Sequence, residues 1–223
     1  MALQTPIALL VLLMVFVVPV LSIYRGRRHA DGLDWPRVRL GLAVNAGIVL
    51  AVIALVVATG SRSAAGLVVP SVDAIIDGSL FGFIAFGGVM LLVGLLAKFR
   101  GGVAADPASL VVFEQPVYRR LAVAVTGATI ESLLFYGVAI GAVLALGGGQ
   151  YVAGGVAAAG LVLVRARFST ANAVQWVPGA FVLSGVALLA ETVIPVLLIR
   201  LLYDTLTLAS GDAEEYVSTE ETA

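Results

Sequence analysis

The chain has 223 residues, 61% of them hydrophobic and 12% charged, with a net charge of −1. Soluble domains carry roughly 25% charged residues, so this is the composition of an integral membrane protein, and the charge balance gives no footing for nucleic-acid binding. There is no Cys and a single His, His29. That excludes disulfides, thiolate metal sites and Cys nucleophiles and leaves no His set for a catalytic zinc. No cofactor is expected.

A spanning helix needs roughly 20 apolar residues. Seven candidates follow in order, over residues 4–24, 38–59, 76–97, 120–146, 151–164, 172–190 and 192–208. The expected fold class is therefore all-α, a polytopic transmembrane bundle of about seven spans. Six spans plus a re-entrant segment is the variant, because 151–164 is short. The first segment lacks a basic flank before it and is too long for a signal peptide. Only Glu191 and Thr192 separate the last two segments, which predicts a close antiparallel pair. Residues 1–208 read as one transmembrane domain, with 117–208 as its motif-bearing part. Residues 209–223 read as an acidic, disordered cytoplasmic tail.

Orientation follows from Arg and Lys. Arg25, Arg27, Arg28, Arg37 and Arg39 fill one loop; Lys98, Arg100, Arg119 and Arg120 fill another; Arg165 and Arg167 follow the fifth segment. These loops alternate along the chain, and the opposite loops hold only Arg62. The positive-inside rule then puts the N-terminus outside and the C-terminus in the cytoplasm, and the plasma membrane is the expected location. Seven spans also fit a retinal protein, but a Schiff base needs a Lys within a span, and the single Lys, Lys98, lies at a loop boundary.

Ionisable residues inside a membrane are costly and point to function. Glu131 sits well inside the fourth segment, Asn172 opens the sixth, and Arg200 and Asp204 lie in the seventh. Arg200 and Asp204 are four apart, so they share a helix face and can pair. A cation with two nearby anions can be a packed ion cluster that fixes helix register. Alternatively, a carboxylate at Glu131 in a low-dielectric pocket can serve as a general base, unless Arg200 holds it ionised. Gly137-x-x-x-Gly141 fits close helix packing.

The stretch Glu131-Ser132-Leu133-Leu134-Phe135-Tyr136-Gly137 resembles the first motif, Glu-Glu-x-x-x-Arg, of the CPBP intramembrane proteases, the CAAX-prenyl protease and bacteriocin-processing (Abi) family. Phe168-Ser169-Thr170-Ala171-Asn172 resembles the second motif, Phe-x-x-x-His. Arg200-Leu201-Leu202-Tyr203-Asp204 resembles the third, His-x-x-x-Asn or Asp. The resemblance implies that Glu131 occupies the position of the base that activates water. Asn172, Arg200 and Asp204 then occupy the positions that place the water and stabilise the oxyanion. Ser132 replaces the second Glu, Tyr136 replaces the Arg, and Asn172 and Arg200 replace both His residues.

A lone base supplies about 10²–10⁴-fold, and neither Asn nor Arg shuttles protons near neutral pH as His does. The expected function is therefore a catalytically impaired relative of these proteases that binds a membrane partner or lipid. The alternatives are an active atypical peptidase with Glu131 as base, and a small transporter or channel subunit. The expected partners are the bilayer, another membrane protein or a lipidated peptide, with no nucleic acid.

Overall fold

A computed structural model describes residues 5–28, 34–62, 66–99, 107–166 and 170–210. Among them all regular structure is helical, in eight helices: α1 Thr5–Arg28, α2 Trp35–Ala58, α3 Val72–Phe99, α4 Pro107–Phe113, α5 Val117–Ala145, α6 Gln150–Arg165, α7 Thr170–Ala190 and α8 Ile194–Ser210. The seven apolar segments each become a helix, and the basic loop between α3 and α5 adds the short α4. His29, Phe168, Ser169 and the acidic tail from Gly211 lie outside the described residues.

By length and hydropathy, four helices among the described residues can cross a membrane: Trp35–Ala58, Val72–Phe99, Val117–Ala145 and Asn172–Ala190. The expectation of seven spans is met to that extent. The shortfall has a physical basis. At about 1.5 Å per residue, the 16 residues of α6 and the 17 of α8 fall short of a hydrocarbon core roughly 30 Å thick. Helix α8 also carries Arg200 and Asp204 inside its length. In α1 only Thr5–Val17 enters this comparison, and the apolar run of the sequence continues to Tyr24. The fifth apolar segment is one continuous helix, Gln150–Arg165, with no break that would mark a return.

Burial sorts centre from periphery. The most apolar window of α5 is 67% buried, against 17% in α2 and in α3. Helix α5 is thus the central post, and α2 and α3 turn most of their side chains outward, as lipid-facing helices do. Helix α6 packs on α7, α5 on α8, and α3 on both α7 and α8. The last two helices are joined by a tight turn, yet each packs more extensively on α3 than on the other. The close pair expected from sequence is therefore a pair wedged by α3. Gly82 makes the wedge fit: a Cβ there would lie 2.5 Å from Ile199 Cδ1 and 2.8 Å from Val186 Cγ2. Small residues let helix backbones approach in this way.

Local chemistry sets the ends. Asp34 caps α2, its Oδ1 accepting from the Arg37 amide at 3.0 Å, with Pro36 in the first turn. Arg120 ties α4 to α5, donating to the carbonyls of Phe113 and, at 2.7 Å, Gln115. Between α7 and α8, Glu191 adopts φ +54°, a left-handed conformation that a non-glycine residue takes only when its surroundings impose it. Here Thr192 Oγ1 donates to the Val68 carbonyl at 2.9 Å, and the Val193 amide donates to the Gly66 carbonyl at 3.2 Å. The 66–70 segment is thereby stapled onto the turn.

Helix α5 is not uniform. It is α-helical over Val117–Glu131, π-helical over Ser132–Ala139 and α-helical again over Ile140–Ala145. π-Helical segments are rare and concentrate at functional sites. This one begins at the residue after Glu131, and seven of its eight residues are buried.

Candidate functional site: an ion tetrad around Glu131

Three helices bring four charges together. Helix α5 supplies Glu131 where its α-helical part ends. Helix α6 supplies Arg165 from its last turn. Helix α8 supplies Arg200 and, one turn on, Asp204. Glu131 Oε2 accepts from Arg165 Nη2 at 2.6 Å and from Arg200 Nη2 at 2.6 Å. Arg200 Nη2 also donates to Asp204 Oδ2 at 2.7 Å. Two cations and two anions thus form one balanced cluster at charge-assisted distances.

Accessibility grades the four. The Arg200 side chain is 1% exposed, Glu131 and Asp204 are 14% exposed, and Arg165 is 21% exposed. Arg200 is the buried hub, and Arg165 is the member nearest the surface.

Aromatic rings complete the enclosure. The guanidinium carbon of Arg165 lies 4.3 Å from the centre of the Trp176 ring, and that of Arg200 lies 5.0 Å from it. Both are cation–π distances. Tyr203 meets Trp176 edge-on at 5.9 Å and Phe86 at 5.0 Å. The indole therefore touches both cations and is itself held by two further rings. This matters energetically, because a guanidinium keeps a weaker hydration shell than an ammonium and pairs well in a dry, aromatic site.

Three nitrogens remain buried with no hydrogen-bond acceptor: Arg165 Nε, Arg200 Nε and Arg200 Nη1. Ser132 Oγ is likewise buried and unpartnered. Buried donors without acceptors are uncommon and costly.

The sequence-derived residues fare differently. Glu131, Arg200 and Asp204 meet as one cluster, and the α8 pair at four-residue spacing forms. Asn172 is half-buried in the first turn of α7, one turn from Trp176 and on its face of the helix. Ser132 is buried beside the cluster, and Tyr136 donates from its hydroxyl to the Ala180 carbonyl at 3.4 Å.

Sequence reasoning assigned Arg165 to a basic loop and passed over Trp176. The signal for Arg165 was its place as the last residue of an apolar run, where a long cationic side chain can fold back along its helix. Nothing in the sequence marked Trp176. Among the described residues, no group of His, Cys, Asp and Glu is arranged to hold a metal ion.

A second feature lies toward the Glu191 turn. A cleft of about 360 Å³ is lined by Tyr136, Gly137 and Ile140 of α5, Gln150 of α6, Leu188 of α7 and the Glu191 turn, among others. Gly137 and Gly141, the small-xxx-small pair, serve here. Both line the cleft, and Gly66 stands against Gly137.

No family model, no curated protein and no solved structure matches this chain.

Proposed function

We propose that this chain is a non-hydrolytic integral membrane protein that keeps a CPBP-like arrangement of its last helices. In this reading it uses the remodelled motif site to bind a membrane lipid or a lipidated or membrane-embedded partner. The proposal includes seven spans, with α6 and α8 crossing where the bundle shields their charges, the N-terminus outside and the C-terminus cytoplasmic.

One observation carries the reading: Glu131 Oε2 accepts 2.6 Å bonds from two arginines at once. A carboxylate oxygen that accepts from two guanidiniums at once has its lone pairs engaged in charge-assisted bonds, which makes that oxygen a poor acceptor for a proton from water. Hydrolysis further requires donors aimed at a developing oxyanion and a group that delivers a proton to the leaving amine. The tetrad offers arginines, which do not release protons. The binding role draws on the three unpartnered guanidinium nitrogens. In a cluster already balanced in charge, they suit a neutral acceptor such as a lipid ester or peptide carbonyl.

The test is a peptidase assay on the full chain in liposomes, with prenylated peptides and single-span substrates. No cleavage above that of empty liposomes is expected. Cleavage that disappears in Glu131→Gln would overturn the proposal and restore Glu131 as a base.

A further inference from the structure

The cleft near the Glu191 turn is separate from the tetrad and has its own chemistry. Its walls are apolar or backbone: Ile140, Leu144 and Ala145 from α5, and Ala187 and Leu188 from α7, with Gly137 and Gly141 bared along one side. Its volume, about 360 Å³, lies within the range of small-molecule sites, roughly 300–1,000 Å³. The polar part of the lining comes from Tyr136, Gln150, Glu191 and Thr192. Glu191 is the only ionisable carboxylate among the lining residues, and no cation lines the cleft beside it.

Two observations show that this carboxylate is presented rather than incidental. Glu191 is held at φ +54° in a turn fixed on its C-terminal side by the Thr192 and Val193 bonds to the 66–70 segment. The surroundings also reinforce its sign. Helix α3 packs at Gly78 against Pro195 and Ala190, which flank the turn, and it brings exposed Asp77 and Asp73 to the same end of the bundle. Against these three carboxylates that end offers one described cation, Arg62. An apolar slot beneath a negative rim concentrates cations and retains those with an apolar body.

We infer that this cleft is a binding site for a single-chain amphiphile with a cationic amine head. The alkyl chain lies along Ile140, Leu144, Ala187 and Leu188, and the ammonium sits at Glu191. The inference stands independently of the role proposed for the tetrad, since none of the four tetrad residues lines the cleft.

The experiment uses the purified full chain in nanodiscs and measures equilibrium binding of labelled decylamine, decanol and decanoate, with empty nanodiscs as blank. Decylamine is expected to bind saturably, one per chain, about tenfold tighter than decanol or decanoate. Glu191→Gln should abolish that preference and leave decanol binding as it was. Ala145→Phe, which fills the slot, should weaken all three ligands. Gln150→Trp, at an exposed position in the first turn of α6, blocks the mouth from outside and serves should Ala145→Phe fold poorly. Equal affinity for the three ligands would overturn the assignment. So would unsaturable uptake matching empty nanodiscs, or binding that neither blocking variant reduces.

Discussion

Replacing Glu131 by Gln removes the one carboxylate that two arginines share. The side chain keeps its size and can still accept a hydrogen bond, so packing is nearly conserved and the change is electrostatic. The cluster passes from balanced to a net charge of +1. Breaking one side of a buried ion pair costs roughly 3–5 kcal/mol, and an exposed pair contributes about 0–1 kcal/mol. The Glu131–Arg200 contact belongs to the first class, with Arg200 1% exposed. Arg200 nevertheless keeps Asp204 at 2.7 Å, which reduces the loss to about 2–3 kcal/mol by the same reasoning. The Arg165 contact, with its arginine 21% exposed, adds at most about 1 kcal/mol.

A destabilisation of about 3 kcal/mol corresponds to a Tm lower by roughly 6–12 °C for a domain of this size. Thermal unfolding of the parent and Glu131→Gln in the same mild detergent, followed by tryptophan emission, reads this directly, because Trp176 lies against both arginines. An unchanged or raised Tm would refute the reasoning. It would mean that Glu131 is a strained group kept despite its cost, as catalytic residues often are.

Four further outcomes are expected. Asp204→Asn should lower stability by about 1–2 kcal/mol, less than Glu131→Gln, because Arg200 retains its bond to Glu131; the two melts are compared side by side. Gly82→Ala should cost about 1–3 kcal/mol by overpacking against Ile199 and Val186. Gly87→Ala on the same helix, where nothing lies within 4 Å of the added carbon, should be neutral or raise Tm. Glu191→Gly should raise stability by about 1 kcal/mol by relieving the positive φ, a gain of roughly 2–4 °C in the same melt.

The helical segments were legible because bilayer thickness imposes a length and an apolar composition together. Helices α2, α3 and α7 fall where runs of Val, Leu, Ile and Gly lie between charged or turn residues. The number of spans was less legible. Length in residues sets whether a helix can cross, and α6 and α8 sit near the limit, where their neighbours decide. The tetrad was half legible. Spacing alone pairs Arg200 with Asp204, and charge alone attracts both to Glu131. Arg165 belongs to the cluster through tertiary packing of α6 against α5, for which no local pattern exists. The π-helical segment had no sequence signature. Its residues, Ser132-Leu133-Leu134-Phe135-Tyr136-Gly137-Val138-Ala139, suit an ordinary α-helix equally well.

The placement of Arg200 also has a consequence for biogenesis. A lone Arg or Asp at the centre of an inserting helix costs about 2.5–3.5 kcal/mol each on insertion scales, and α8 carries both within 17 residues. As the last of the described helices it leaves the ribosome after α5 and α6 have been made. Its counter-charges, Glu131 above all, are then already in place. In the proposed seven-span arrangement, helix α8 is thus expected to enter the bilayer as a client of the preceding helices rather than as an autonomous span. A chain truncated before Ile194 leaves Arg165 and Glu131 without their hub. Such a chain should be retained and degraded as an incomplete bundle, so α8 acts as the checkpoint for assembly of the described helices.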